Sequence, residues 1–180
     1  MRTDLILGIS GSLSEGSSNS AVISALADQV SGRVNFVSFI GLELLQPFNP
    51  QVKSIPPEVA NFRALLSSAS AVVISTPEYA YGMPGILKNA LDWVVFSGEL
   101  YQKPVAAVSV STMETGGERA LLSLLSTLSA LGTKTPKYLT LSIGNSRSKI
   151  SETGKILDGN TVLLLQLLTD QLLELLEVKI

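Results

Sequence analysis

The sequence predicts an α/β fold, a doubly wound sheet of five parallel strands in the order 2-1-3-4-5 with helices on both faces. Short apolar runs alternate with helical patterns along all 180 residues, and such alternation is typical of a parallel sheet covered by helices on both sides. Right-handed crossovers leave only doubly wound orders, of which 2-1-3-4-5 suits five strands. No repeat, linker or low-complexity tract interrupts the pattern, so residues 1–180 are expected to form a single domain.

Each strand is predicted from a short apolar run, and each helix from apolar residues spaced three to four apart. The predicted strands are residues 5–10, 34–39, 71–75, 104–109 and 137–142. The predicted helices are residues 18–30, 58–68, 84–96, 117–131 and 161–178. A Pro-rich stretch, 41–57, and a polar stretch, 143–160, are expected to be irregular. Ligands of such sheets bind beyond the carboxyl ends of the strands, so the loops after strands one, three and four are the places to seek function.

The composition excludes several chemistries. The chain has no histidine and no cysteine, so the commonest general base, the commonest zinc ligand and all thiol redox chemistry are missing. Any redox chemistry must therefore use a borrowed cofactor, and no metal site is expected. Lys+Arg 13 against Asp+Glu 15 gives a net charge of −2 without a basic run, which makes a nucleic-acid partner unexpected.

Hydropathy and the first residues point to a cytoplasmic protein without a membrane partner. The longest stretches free of charge are 14 residues, 64–77 and 120–133, and these are too short to span a bilayer. The N-terminal residues lead into an apolar strand without the pattern of a cleaved signal peptide.

The loop after the first strand has the features of an anion site. Residues 8–20 contain three glycines and six serines and open a helix at about Ser18, where free amides and the helix dipole attract an anion. Gly11 and Gly16 have the spacing of an NTPase phosphate loop, but Ser17 stands where that motif requires lysine. The loop therefore suits one terminal phosphate held by hydroxyls and amides. The alternative is a simple turn in which Ser17 or Ser18 caps the helix.

The loop after the third strand is stiff and aromatic. Residues 76–85 hold two tyrosines, two prolines and two glycines, a composition that lets the backbone approach a flat ring closely. The helix that follows has a simpler explanation, because Leu87, Leu91 and Val94 share one face and indicate core packing.

Two motifs in these loops resemble the signatures of the NADPH-dependent FMN reductase family, which has a flavodoxin-like fold and includes chromate, quinone and azo-dye reductases. The first is Gly11-Ser12-Leu13-x-x-x-Ser17-x-Asn19. The second is Pro77-Glu78-Tyr79-x-Tyr81-Gly82-Met83-Pro84-Gly85-x-Leu87-Lys88-Asn89-Ala90-Leu91-Asp92-Trp93. The segment from Ser111 to Ala120 resembles the family's third conserved loop, and the likeness covers nearly the whole chain.

The resemblance implies a set of FMN-binding residues. Those that would hold the phosphate are Ser12, Ser17, Ser18 and Asn19. Those that would line the isoalloxazine, chiefly through backbone groups, are Pro77, Glu78, Tyr79, Ala80 and Tyr81. Ser111 and the Gly116-Gly117 turn would close over the ring. No catalytic side chain is implied, because the flavin carries the hydride and the protein orients it.

Three positions depart from the family pattern. Ser14 stands where arginine is usual, Ala80 where asparagine is common, and Glu114 where glycine is frequent in a third loop that is one residue short. None of them removes FMN binding. The choice between NADH and NADPH and the identity of the acceptor stay open.

The resemblance implies an FMN-dependent NAD(P)H oxidoreductase that passes a hydride to a flavin, quinone, azo compound or similar small-molecule acceptor. The alternatives are an electron carrier like flavodoxin, against which the mild net charge of −2 argues, and a scaffold that no longer binds FMN. The family's members are generally dimers or tetramers. A homodimer or homotetramer is accordingly expected, with Leu125 and Leu172 at the interface, although the apolar helix 161–178 could instead be deeply buried.

Overall fold

A computed structural model describes residues 4–177 and contains one sheet of five parallel strands. The strands are β1 (Leu5–Ser10), β2 (Asn35–Phe39), β3 (Ala71–Thr76), β4 (Val105–Val110) and β5 (Thr140–Ile143). Their order is β2-β1-β3-β4-β5, and every pairing is parallel. The predicted fold class and strand order are confirmed.

Six α-helices connect or flank these strands in the described part of the chain. They are α1 (Ser18–Val30), α2 (Pro57–Ser68), α3 (Gly85–Asp92), α4 (Glu118–Ala130), α5 (Ser146–Lys149) and α6 (Gly159–Glu177). Two short 3-10 helices lie at Leu42–Leu44 and Lys137–Leu139. Within residues 4–177, no helix has the length and apolar character needed to cross a membrane.

Two apolar cores lie on opposite faces of the sheet. Alternation along β1 sends Leu7 into one core and Ile6 into the other, because successive side chains of a strand point to opposite faces. The first core lies under α2, α3 and α4 and includes Phe62, which is fully buried. The second lies under α1 and α6 and includes Leu172, which is 1% exposed. Helices therefore cover both faces of the sheet, as predicted.

Two predicted elements differ from the structure by three or more residues at one end. The fifth strand begins at Thr140 and not at residue 137, because Lys137–Leu139 forms a 3-10 turn directly after Pro136. The predicted helix 84–96 ends at Asp92. The Trp93 indole that follows donates a 2.7 Å hydrogen bond to the Gln46 carbonyl and so anchors the Pro-rich stretch.

The polar stretch 143–160, expected to be irregular, contains the short helix α5. At the end of the last predicted helix, Val178 lies outside the described residues. The register of β1 against β3 pairs Ser10 with Ser75. The loops that follow these two central strands therefore begin side by side at the switch point of the sheet.

Candidate functional site

A cavity of about 240 Å³ opens at the carboxyl ends of β1, β3 and β4. Eight of the twelve predicted site residues line it, namely Ser12, Ser17, Ser18, Asn19, Pro77, Glu78, Tyr79 and Ser111. The other lining residues are Ser14, Val110, Thr112 and Ser146. The fold thus brings together parts of four segments that are far apart in the sequence, those that follow β1, β3, β4 and β5. The other four predicted residues do not line the cavity but lie at turns with positive φ in two of its loops: Ala80, Tyr81, Gly116 and Gly117.

The amino end of α1 forms one wall. Ser17 is the N-cap, and its hydroxyl accepts a 3.1 Å hydrogen bond from the Ser20 amide, while its carbonyl accepts the Ala21 amide at 3.0 Å. The amides of Ser18 and Asn19, at the first two helical positions, have no intrahelical acceptor. Together with the helix dipole, these two amides make the wall suitable for an anion. Ser17 therefore caps the helix, as the simpler interpretation predicts, and it also lines the cavity, so the cap does not exclude an anion site.

Hydroxyl groups attach this wall to the sheet. The Ser17 hydroxyl lies 3.0 Å from that of Ser20, which in turn donates to the Ser10 hydroxyl at 3.1 Å. The Gly11 amide donates to the Ser75 carbonyl at 2.7 Å. A Cβ on Gly11 would stand 3.0 Å from the Leu87 side chain and 3.3 Å from the Ser75 carbonyl oxygen. Glycine at position 11 therefore permits the close approach of the loop to β3.

The loop after β3 closes through a tight two-residue turn. Tyr79 and Gly82 exchange backbone hydrogen bonds of 3.0 Å in each direction. Between them, Ala80 and Tyr81 both have left-handed backbones, with φ of 48° and 62°, as in a type I′ turn. The Tyr79 side chain is 56% exposed beside the cavity. The turn thus presents an aromatic ring at the cavity mouth on a stiff backbone.

Two contacts fasten this turn to α4. The Glu78 carboxylate accepts a 3.1 Å hydrogen bond from the Ala120 amide, in the first turn of the helix. The Arg119 guanidinium carbon lies 4.4 Å from the centre of the Tyr81 ring, within the range of a cation–π contact. The Glu78 carboxylate is therefore bound at the amino end of α4, where the helix dipole favours a negative charge.

The glycine pair of the third loop serves close packing. Gly116 and Gly117 have φ of 66° and 79°. A Cβ on Gly116 would lie 2.9 Å from the Gly144 amide nitrogen, and a Cβ on Gly144 would lie 2.1 Å from the Glu114 carbonyl oxygen. The third loop therefore rests against the loop after β5, and only glycine fits at these contacts.

The site also includes Ser146, which the sequence analysis missed. Ser146 is buried at the start of α5, lines the cavity and donates its amide to the Ser111 carbonyl at 3.0 Å. Ser146 opens the helix that follows β5, whereas the sequence pattern predicted function only in the loops after strands one, three and four. The Asn145-Ser146 pair directly beyond a strand end was the available signal.

The lining is rich in neutral hydrogen-bond donors. It contains four serines of the first loop, and no lysine or arginine is among its residues. Glu78, the one charged side chain of the lining, is engaged with the Ala120 amide. The amides and hydroxyls at the start of α1 fit a phosphate monoester, and the side of the cavity formed by Pro77 and Tyr79 fits a flat ring. The residues present therefore fit FMN.

Comparison with known proteins agrees with this fit. Residues 5–148 match the model of the family described as NADPH-dependent FMN reductase. The chain is similar to an NAD(P)H-dependent FMN reductase of Pseudomonas aeruginosa, with 32% identity over 169 residues that cover 89% of both chains. It is also similar to a quinone reductase of Escherichia coli K12, with 33% identity over 166 residues and 87% of each chain.

A third relative and a solved structure extend the comparison. A 2-hydroxy-1,4-benzoquinone reductase of a Burkholderia species is 31% identical and covers 89% of this chain and 90% of its own. The structure of a flavoenzyme NAD(P)H:(acceptor) oxidoreductase from Paracoccus denitrificans superposes with a TM-score of 0.87. The alignment covers 97% and 98% of the two chains at 24% identity, a likeness that shows the shared fold.

Proposed function

The chain belongs to the NADPH-dependent FMN reductase family, and from this membership we propose that it reduces quinones or similar neutral ring compounds. It is an FMN-dependent NAD(P)H oxidoreductase, like its relatives. When bound, FMN supplies the group that takes a hydride from the nicotinamide nucleotide and passes electrons to the acceptor. A cytoplasmic location belongs to the same proposal, because the cytoplasm supplies the NAD(P)H that these enzymes consume.

We assign the FMN phosphate to the amino end of α1. The residues that would hold it are Ser12, Ser17, Ser18 and Asn19, through the hydroxyls and free amides of that wall. Pro77, Glu78 and Tyr79 would lie against the isoalloxazine on one side and Ser111 on another. Ala80, Tyr81, Gly116 and Gly117 would contribute by shaping the two loops.

The observation that carries the choice of acceptor is a lining without lysine or arginine beside an exposed tyrosine. An anionic acceptor would find no lysine or arginine among the lining residues. A planar neutral ring could instead pack against the half-exposed Tyr79 side chain at the cavity mouth. The quinone reductases among the relatives support the same class of acceptor.

The decisive experiment is a coupled turnover assay. The purified full chain, reconstituted with FMN, is supplied with NADH or NADPH and then with 1,4-benzoquinone, and nucleotide oxidation is followed at the nicotinamide absorbance. Oxidation that is fast with quinone and slow without it is the expected result. An azo dye and free FMN, tested in parallel, rank the acceptors.

Two outcomes would contradict the proposal. If FMN does not bind at near-stoichiometric level, the chain is a scaffold without the cofactor. If FMN binds but no nucleotide is oxidised with any acceptor, the chain is an electron carrier that receives electrons from a protein partner.

We also propose that the protein is a homodimer or homotetramer. Apolar side chains stand exposed on the outer faces of two helices, Leu122 on α4 and Leu163 and Leu167 on α6. Exposed apolar clusters of this kind often mark an interface, and two-fold symmetry would use each of them twice. Because the amino end of α4 contacts Glu78 in the loop after β3, an interface through α4 would lie near the cofactor.

A further inference from the structure

We propose that Ser75 is a positioning residue, which turns the side-chain amide of Asn19 so that its NH₂ group faces the FMN phosphate. The proposal rests on the phosphate assignment above. Ser75 lies near the end of β3, outside the cavity lining, and no motif singled it out. Its role would be to act on the cofactor through Asn19.

The contact between the two side chains is short and buried. The Ser75 hydroxyl donates a 2.8 Å hydrogen bond to Asn19 Oδ1. Ser75 is 0% exposed and Asn19 is 4% exposed. Within residues 4–177, the Asn19 side chain makes no second hydrogen bond. A buried hydrogen bond of this kind is costly to lose, because the freed acceptor cannot reach water.

The direction of the bond decides what Asn19 offers to the cavity. An asparagine amide carries an acceptor on one side and two donors on the other. With Oδ1 taken by Ser75, the atom left for the cavity is Nδ2, a donor that suits a phosphate oxygen. In the opposite orientation Oδ1 would face the phosphate and repel it. If the amide were flipped, the Ser75 hydroxyl would accept from Nδ2, and its own buried proton would lose the acceptor that it has among residues 4–177. The bond therefore favours the orientation with Nδ2 towards the cavity.

Ser75 also holds the other end of the phosphate loop. Its carbonyl accepts the Gly11 amide at 2.7 Å, and β1 and β3 are in register at Ser10 and Ser75. One residue of β3 thus fastens both the start of the loop, at Gly11, and its far end, at Asn19. The backbone contact survives any substitution at position 75, so a side-chain variant tests the amide orientation by itself.

The test compares FMN with riboflavin, which has the same ring and no phosphate. For Ser75→Ala we expect FMN affinity to fall about tenfold, because one charge-assisted hydrogen bond is lost. Riboflavin affinity should change less than about twofold. Flavin fluorescence titration of the full chain after removal of bound flavin gives both dissociation constants. Asn19→Asp places a second carboxylate oxygen towards the phosphate and should lower FMN affinity further, again with little effect on riboflavin.

A matched pair separates orientation from packing. Ser75→Thr keeps the hydroxyl and Ser75→Val replaces it with a methyl group of equal size, so both place the same volume in the buried site. Only Ser75→Val should lower FMN affinity, by about tenfold, with riboflavin affinity nearly unchanged. In the Asn19→Ala background, Ser75→Ala should have no further effect on FMN affinity.

The outcomes distinguish this proposal from the assignment beneath it. If the unsubstituted protein binds FMN and riboflavin equally, the phosphate assignment fails. If it prefers FMN and the Thr and Val variants bind FMN equally well, the role of Ser75 is overturned. Parallel losses of FMN and riboflavin affinity in Ser75→Val alone would also overturn it, since they would indicate a purely structural hydroxyl.

Discussion

Tyr79 and Gly82 hold each other through two backbone hydrogen bonds of 3.0 Å, one in each direction. Only Ala80 and Tyr81 lie between them, both with positive φ. This conformation is costly for residues with a side chain, by about 1 kcal/mol or more each, and asparagine and glycine are the residues that tolerate it best. The loop after β3 therefore stores strain at the turn that positions Tyr79.

The first prediction concerns this strain. Ala80→Asn should raise the free energy of unfolding by about 0.5–1 kcal/mol, because asparagine populates the left-handed region more readily. Urea denaturation of the flavin-free protein measures the change. Ala80→Val is the matched control and should lower stability, since β-branched residues are outliers at positive φ. Equal stability of the Asn and Val variants would show that the turn is not strained.

The second prediction separates the two roles of Ser17. Ser17→Asp keeps a good N-cap, so the free energy of unfolding should change by less than about 0.5 kcal/mol. The new carboxylate would face the phosphate, and FMN affinity should fall at least about tenfold. Riboflavin affinity, measured by the same fluorescence titration, should hardly change. FMN binding that tolerates Ser17→Asp would place the phosphate elsewhere.

The third prediction concerns Ser14, which lines the candidate-site cavity of about 240 Å³. Ser14 also lines a neighbouring cavity of about 360 Å³, together with Glu15 and Glu43. If the 2′-phosphate of NADPH enters this neighbouring cavity, the two carboxylates would repel it. Ser14→Arg should therefore lower the KM for NADPH by about tenfold, through a charge-assisted contact with that phosphate. The KM for NADH should stay nearly constant. Ser14→Gln supplies a long side chain without charge, and an equal effect of both variants would contradict the electrostatic explanation.

The fourth prediction concerns acid stability. The Asp158 carboxylate accepts hydrogen bonds from the Thr161 hydroxyl at 2.6 Å and the Thr161 amide at 2.8 Å, at the start of α6. These bonds lower the pKa of Asp158 below its usual value of 3.8. A carboxyl whose pKa is lowered by folding contributes stability above its unfolded pKa, and this contribution is lost as the pH falls through the folded pKa.

Asp158→Asn removes this titration and keeps a capping side chain. The variant should be less stable than the unsubstituted protein at pH 6, and the difference should shrink as the pH drops below about 3.8. Urea denaturation at pH 6, 4 and 3 measures it. A difference that stays constant over this range would show that the Asp158 charge does not stabilise α6.

The fifth prediction distinguishes interface from core. Leu122 is 64% exposed and Leu172 is 1% exposed. Leu122→Glu should weaken assembly while the chain stays folded, because a charge enters the two-fold interface twice. Leu172→Glu should unfold the chain, since it buries an unpaired charge. The sequence interpretation of Leu172 as an interface residue is therefore wrong, and Leu125 is only partly buried against the first core.

Light scattering with circular dichroism measures both effects. The unsubstituted protein should scatter as a dimer or tetramer, and the Leu122→Glu variant as a smaller species with an unchanged spectrum. A protein that stays monomeric at micromolar concentration with FMN bound would contradict the proposed assembly.

Much of the fold follows from local patterns. The apolar runs of β1 and β3 and the spacing within α1 suffice to place them, because each pattern extends over neighbouring residues. The Ser17 cap is equally local, since it reaches only to Ser20. The predicted start of the fifth strand at residue 137 is wrong for a physical reason. Pro136 precedes a 3-10 turn, and the apolar Leu139 within that turn resembles a buried strand residue in the sequence.

The sequence by itself determined the fold class, the strand order and three of the four segments that line the candidate site, since these depend on periodicity and on residues with special backbone preferences. Only the tertiary structure decided which side chains meet. Ser75 and Asn19 are 56 residues apart, Glu78 and Ala120 are 42 apart, and Ser146 joins Ser111 from another strand end. Such pairs depend on strand register and helix placement, which bring distant residues within hydrogen-bonding distance without any local pattern.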